Sequence, residues 1–457
     1  MNKRKFTVLL VSLLAPIFAT QAQVSFSSQQ VISSNASRVT AVHSADLNGD
    51  GSMDVLSAAS GSHTIAWYEN TGSGSFSTPQ TITTSATGAS SVYTADLDGD
   101  GDMDVLSASS KDDKVSYYEN QGGGSFGAQQ NLTTSAAGAA SVYATDLDGD
   151  GDPDVLSASE GDNKVSWFEN QGSLTFSAMQ NLTTSADGAR SVYAADLNGD
   201  GNVDVLSASR DDNRIAWYEN LGSGSFGSQQ TISTASTDAS SVHAADLDGD
   251  GDMDVLSSSQ DDHKVSWYEN NGSGSFGSQQ VIMTSLVDAT AVYTSDLNNS
   301  GHQDVLSAAL ELNQIAWYKN DGSATFGSQQ VITTSSEGAA DVYAADLNSD
   351  GNMDVLSAGE YGDKVSWYEN SGTSDISLLT QSTGKVYPNP TKGVVKFSMK
   401  NKMQKLIVSD ITGKTVKQFS NPDVKQKSVD LSLMENGIYM ARIETAEEVL
   451  TVKIIKR

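Results

Sequence analysis

The chain has 457 residues, of which 57 are acidic and 27 basic, and it contains no cysteine. That length admits one large domain beside a small one, or a repeat array, and the lack of cysteine excludes disulfides, thiolate metal sites and cysteine nucleophiles. The charge is split: residues 1–23 carry +3, residues 386–457 carry +6 and residues 24–385 carry −39, a field that repels nucleic acid and anionic membranes and attracts divalent metal.

Lys3, Arg4 and Lys5 precede an apolar run from Phe6 to Phe18, and Thr20 and Ala22 suit the small-residue positions before cleavage. Residues 1–22 therefore read as an export signal peptide. The apolar run of 13 residues falls short of the roughly 20 needed to cross a bilayer. No other segment is apolar enough, so no transmembrane segment is expected.

From Val24 the chain falls into rows of fifty. DLNGDGSMDVLSA begins at Asp46, and its counterparts begin at Asp96, Asp146, Asp196, Asp246, Asp296 and Asp346, seven copies without a gap. Each copy holds four short runs rich in Val, Tyr, Trp, Phe and Thr, bounded by Gly, Asp, Asn and Ser turns. In the second copy these are 91–97, 104–109, 114–120 and 125–134. No segment of 24–385 has the apolar period of a helix. The expected fold class is all-β, a seven-bladed β-propeller of four-stranded blades over residues 24–374. A linear solenoid is the alternative, but solenoids need atypical capping repeats, and here the first and last copies look like the rest. The phase also predicts ring closure. VSFSSQQVISS at 24–34 matches the fourth run of a copy, and the seventh copy, Val342 to Asn370, lacks one; the N-terminal strand should complete the seventh blade.

Between the first and second runs lies D-x-[DN]-x-D-G-x-x-D. Calcium takes roughly six to eight oxygen ligands, and an alternating acidic loop that turns at glycine wraps them around one point. In the second copy Asp96, Asp98 and Asp100 offer side-chain oxygens, Gly101 permits the turn, Asp102 offers its carbonyl and Asp104 closes the shell with both oxygens. The equivalent Ca2+ sets are Asp46, Asn48, Asp50, Asp54; Asp146, Asp148, Asp150, Asp154; and Asp196, Asn198, Asp200, Asp204. Two more are Asp246, Asp248, Asp250, Asp254 and Asp346, Asn348, Asp350, Asp354. The sixth copy departs, with Asp296, Asn298, Ser300 and Asp304, and its missing carboxylate predicts a weak or empty site. An acidic hairpin without metal is the other reading of any one copy. Six full copies weigh against it, because so many unscreened carboxylates would repel one another. An EF-hand is excluded, since strands flank the loop and the Glu at its twelfth position is missing.

These loops, with the DVLSA and WYEN runs that follow them, resemble the FG-GAP (VCBS-like) repeat family over residues 24–374. Phe126-Gly127, Phe226-Gly227, Phe276-Gly277 and Phe326-Gly327 keep the Phe-Gly half of the family's name, while the Gly-Ala-Pro half is absent. That departure places the chain nearer the secreted bacterial members than the integrin α-subunits. The resemblance implies calcium that rigidifies a propeller and implies no single activity.

Trp67, Trp167, Trp217, Trp267, Trp317 and Trp367 share one phase, with Tyr117 in the remaining copy. They read as packing between blades, where each sheet needs a large flat residue at one depth, ahead of sugar-stacking platforms. His43 and His243 stand where five copies have Tyr and read as strand residues. His63 and His263 fall between the second and third runs, and His302 in the sixth acidic loop. Antiparallel order gathers the acidic loops and Asn-Gly turns at one end of every blade. The other end carries the second-to-third loops, which vary most among copies, as in a scaffold that presents a ligand surface. Drift on an unused surface is the competing reading. A glycan or protein ligand is expected on that loop-rich face, and Arg190, Arg210, Arg214, His263 and Tyr361 are the first residues to test.

After a polar linker, 375–385, the repeat stops and lysine rises. Residues 386–457 hold short strand-like runs separated by turns and read as a small β-sandwich with a basic surface. Tyr387-Pro388-Asn389-Pro390 with Gly393, Asp410 through Lys414, Gly437-Ile438-Tyr439 and Lys453 to Arg457 resemble the type A C-terminal sorting domain of the type IX secretion system. The resemblance implies the type IX machinery as a partner, a Gram-negative host, passage through the periplasm and a secreted or cell-surface destination. The leading expectation is a calcium-stabilised binding or adhesion module. A polysaccharide lyase or hydrolase built on the propeller is the alternative, and a passive surface component the third. No His, Tyr, Lys and Arg constellation stands out as catalytic.

Overall fold

The computed structural model describes residues 24–373, 384–387, 391–410, 414–445 and 449–456. The predicted leader, 1–22, and nearly all of the linker lie outside the described residues. Val24–Thr373 is one compact unit, and the residues after it belong to a second. Every regular element among the described residues is a strand.

In the second copy the strands are Ala89–Ala95, Asp104–Ser109, Lys114–Tyr118 and Gln130–Thr133, antiparallel in chain order. Only the second strand keeps the bounds of the sequence reading. The first begins two residues earlier, the third ends two earlier and the fourth ends one earlier, and two further ends have a local cause. The first strand stops at Ala95, because Asp96 turns away to gather the loop's N–H groups. The fourth starts at Gln130, because Gly122, Gly123 and Gly124 all take positive φ in the preceding turn. Phe126 keeps only an isolated bridge to Asn120. The same four-stranded sheet recurs seven times among the described residues, the architecture of a β-propeller. As the phase predicted, Gln30–Ser33 supplies the fourth strand of the last sheet, with Gln30 opposite Trp367 and Val31 opposite Ser366. Val24–Phe26 then pairs with Asn370–Thr373.

The second strand of each sheet, DVLSAS in the second copy, is buried along its whole length. A strand covered on both faces cannot alternate polar and apolar residues, and Ser107 and Ala108 keep the faces shallow enough for close approach. Ser107 Oγ lies 3.3 Å from the Tyr118 hydroxyl, a contact repeated at Ser57–Tyr68 and Ser207–Tyr218, so the buried hydroxyls satisfy one another.

The core lies between sheets. Leu47, Leu56, Ile65 and Trp67 of one sheet pack on Val92, Val105 and Tyr118 of the next. Leu356, Val365 and Trp367 of the last sheet pack on Val39, Val42 and Tyr68 of the first. Trp67 is 3% exposed and meets Phe126 edge-on at 6.3 Å, which fits packing and leaves no face for a sugar. Burying such a ring contributes up to roughly 4–6 kcal/mol at about 25 cal/mol per Å2. Its footprint explains a glycine: a Cβ on Gly124 would lie 2.5 Å from Trp67. In the next copy, where Tyr117 replaces the tryptophan, Leu174 stands at that position and packs beside it.

His43, His243 and the five tyrosines at their phase form a closed aromatic ring. Neighbouring centroids are 4.3–4.9 Å apart throughout, including 4.7 Å from Tyr343 back to His43.

The second unit is a five-stranded antiparallel sheet of Gly384–Tyr387, Val394–Asp410, Thr415–Asp430, Gly437–Thr445 and Val449–Lys456. Val395, Phe397, Leu406, Val408, Tyr439 and Ile443 form its core. Of the sorting-domain motifs, Tyr439 is buried with its hydroxyl donating to the Glu435 carbonyl at 2.9 Å, whereas Pro388-Asn389-Pro390 lies outside the described residues.

Candidate functional site

Each acidic loop is a hairpin between two strands that the sheet holds rigidly. Asp96 Oδ1 accepts the N–H of Gly99 and Asp100, and Oδ2 accepts that of Gly101. Asp100 accepts the N–H of Asp102, and Asp98 that of Asp100. Carboxylates that saturate the backbone from inside leave their remaining lone pairs facing one another. In three loops such oxygens lie within 4.8 Å of each other: Asp96, Asp98 and Asp104; Asp146, Asp148 and Asp154; Asp246, Asp248 and Asp250. These are the copies with Asp at the third position. At Asn48 and Asn198 the amide turns inward instead, donating to Asp50 at 3.3 Å and to Asp200 at 3.2 Å.

The last carboxylate of each loop has a second duty that sequence reasoning missed. Asp104 is 1% exposed; its Oδ2 accepts the Leu97 N–H at 2.9 Å and its Oδ1 the Asn120 N–H at 2.7 Å. Asn120 in turn donates from Nδ2 to the Leu47 carbonyl of the neighbouring sheet at 2.8 Å. Loop, hairpin and adjacent blade are thus tied at one carboxylate. The signal was legible in the Asn of WYEN, present in all seven copies.

Burial, opposed by those two N–H bonds, pushes Asp104, Asp154, Asp254 and Asp354 up to about 7 and Asp54 and Asp204 up to about 6. Burial also raises Asp98, Asp148 and Asp248. An all-oxygen, acid-rich set that lacks a counter-charge could hold a hard divalent cation. In the sixth loop burial likewise pushes Asp304 up to about 7, but the acidic set around it is reduced. Asn298, 9% exposed, donates to Asp304 Oδ2 at 2.7 Å and supplies a neutral partner to the closing carboxylate.

The opposite end of the same unit is different in kind. At the turn between second and third strands, Asp113, Asn163 and Asn213 take positive φ and accept the N–H of Gly138, Gly188 and Asp238. His63 and His263 fill this role through Nδ1, bonding the N–H of Gly88 and Asp288, so they are turn residues whose Nδ1 is committed to the backbone. Arg214 is likewise committed, to Asp212 at 3.3 Å and Gln229 at 3.2 Å. Arg190 is placed differently. It donates to Gln260 at 2.7 Å, lies 3.8 Å from Glu160, and with them lines an axial cavity of about 340 Å3. Arg210 reaches the same Glu160 at 3.8 Å, and Tyr361 is 55% exposed.

His43 and His243 lie in the aromatic ring. Each Nε2 is 3.1 Å from a threonine hydroxyl of the next sheet, Thr94 and Thr294. Burial lowers both rings to about 4, so they are neutral.

Comparison with known proteins agrees with this architecture. The FG-GAP-like repeat model matches six overlapping stretches, 46–107, 96–157, 146–207, 196–257, 246–307 and 296–357. A secretion system C-terminal sorting domain matches residues 385–457. No curated protein matches the chain. Among solved structures, an Agrocybe aegerita lectin that recognises non-reducing terminal N-acetylglucosamine is 20% identical with a TM-score of 0.50, covering 70% of this chain and 85% of its own. BBS1N in its complex with ARL6DN is 11% identical with a TM-score of 0.54, covering 76% and 96%. Virginiamycin B lyase from Staphylococcus aureus is 12% identical with a TM-score of 0.51, covering 76% and 99%. At these identities the likeness is one of fold. No helix among the described residues is long and apolar enough to cross a membrane, and the sorting domain marks the protein for secretion or cell-surface export. The chain belongs to the FG-GAP-like repeat family and ends in a C-terminal sorting domain of the type IX secretion system.

Proposed function

We propose that the protein is a calcium-stabilised, seven-bladed β-propeller binding or adhesion module for a glycan or protein ligand. On this reading it passes through the periplasm and is exported by the type IX machinery, with residues 386–457 as a small sandwich that serves as the address. The observation that carries the reading is a division of labour between the ends of the repeat unit. The acidic loops repeat almost without change, as a structural device must. At the other end, side chains that differ among copies, Arg190, Gln260, Glu160, Leu310, Asp341 and Glu360, converge on one axial cavity. Repetition serves the frame, and departure from repetition serves recognition. Six loops supply Asp46, Asn48, Asp50, Asp54 and their counterparts to calcium, and the sixth copy stands apart. The Agrocybe aegerita lectin illustrates that glycan recognition has been built on this fold.

Glycan-array and protein-pulldown binding with and without calcium tests the proposal. Binding that disappears on chelation is the expected result. Turnover on a polysaccharide panel, abolished by one substitution in the cavity, would replace the binding reading with the lyase or hydrolase alternative.

A further inference from the structure

The axial cavity has one charged group that its neighbours do not neutralise. Glu360 is paired with Arg38, and Glu160 lies 3.8 Å from both Arg190 and Arg210. Asp341 makes no ion pair among the described residues. Its Oδ2 accepts the Val42 N–H at 3.0 Å and its Oδ1 the Val342 N–H at 2.9 Å, so each oxygen keeps a lone pair for the cavity.

The other copies explain why an acid at this phase is unusual. Ser91, Ser141 and Ser191 make the same inter-sheet bond, accepting the N–H of Val142, Val192 and Val242 at 3.3–3.4 Å. A serine suffices for that bond, as Ala41 and Ala291 suggest even it is dispensable. A carboxylate therefore adds charge beyond what the joint requires, at a half-buried place where charge without a partner is costly. The serines accept an N–H and keep their own hydroxyl hydrogen to donate. The cavity thus presents an arc of hydroxyl donors facing one unpaired carboxylate, in a unit whose overall charge favours cations.

We infer that the axial cavity binds a ligand through a primary ammonium group seated on Asp341, with the serine hydroxyls bonding the ligand's oxygens. This rests on reading the unit as a binding module. The cavity, at about 340 Å3, is in the range of small-molecule sites and has room for one hexosamine or one amine-terminated side chain.

The test titrates the full chain, in saturating calcium so that the acidic loops are filled, with D-glucosamine, D-glucose and N-acetyl-D-glucosamine. One equivalent of glucosamine should bind at least about ten-fold more tightly than either neutral sugar, a difference of about 1.4 kcal/mol. A parallel titration with lysine amide separates the sources. Tighter binding than glucosamine assigns a peptide amine, and weaker binding assigns an amino sugar. Asp341→Ser, which restores the residue used by four other copies, should fold normally and lose the preference for the amine. Asp341→Asn, which keeps the shape and one acceptor, should do the same if the serine variant fails to fold. Glucosamine that binds no better than glucose, failure of both amines to bind, or a preference that survives either substitution would overturn the inference. An array ligand that binds the wild type and Asp341→Ser equally would leave the module reading intact and remove this site alone.

Discussion

The second and sixth copies are nearly the same object and differ where it matters. Both place a tyrosine, Tyr93 or Tyr293, in the aromatic ring, and both follow it with a threonine that meets a histidine of the preceding sheet. Both have a closing carboxylate, Asp104 or Asp304, that accepts the N–H of a leucine and an asparagine. In the second loop Asp98 faces Asp104 and Asp96, three like charges gathered without a partner. In the sixth, Asn298 donates to Asp304, and Ser300 stands where the second copy has Asp100. The sixth loop thus gathers two fewer carboxylates than the second, whereas the loops of Asn48, Asn198 and Asn348 keep the aspartate that Ser300 replaces.

The largest test of this contrast is to remove the metal. At free calcium ten-fold above Kd each of six loops would contribute about 1.4 kcal/mol, about 8 kcal/mol together. Chelation should lower the calorimetric melting temperature by more than about 10 °C, and titration back should take up six equivalents. An unchanged melt would erase the distinction between the copies.

Acid probes the part in which the two copies agree. The folded histidines titrate at about 4, below the usual 6.5, so the unfolded chain binds more protons between those values. The histidine contribution to stability is therefore full above pH 6.5 and falls as the pH drops towards 4, by up to about 3 kcal/mol per histidine. The closing aspartates, raised to about 6–7, act with the opposite sign. Replacing His43 and His243 by the tyrosine of the other copies should flatten the melting profile in that window relative to wild type. A double variant that keeps the wild-type slope would mean that other groups carry the loss.

A smaller effect sharpens the comparison at the Asn-Gly turn. Gly124 of the second copy has φ +72 and no room for a Cβ beside Trp67, while the sixth copy accepts Ala324 beside Trp267. Gly124→Leu should destabilise by about 2 kcal/mol by denaturant melt. Adding Trp67→Tyr, the pairing native to Tyr117 and Leu174, should recover part of it. No recovery would show that backbone strain, not the indole, fixes the glycine.

The smallest effect isolates the metal. Asp104→Ala and Asp304→Ala each strand two buried N–H groups, at about 1–3 kcal/mol apiece, so both variants should be markedly less stable. In calcium the Asp104 variant should lose about 1.4 kcal/mol more than the Asp304 variant, and in chelator the two should match. Equal losses in calcium would contradict the reading of the sixth loop.

Sequence alone determined the strand content, the fifty-residue unit, the acidic loops, the part of the tryptophans in packing and the N-terminal strand as the missing fourth strand of the last sheet. All of these follow from period and local composition, which a repeat displays seven times over. Only the tertiary structure decided what the copies do to one another. That His43 meets Thr94, that Asn120 holds Leu47 of the next blade, that Gly124 clears Trp67, and that Arg190 and Asp341 share one cavity are contacts between residues about fifty or more apart. Such pairings arise when successive sheets pack face to face around an axis. A linear reading sees each residue's phase and cannot see its neighbour across the gap.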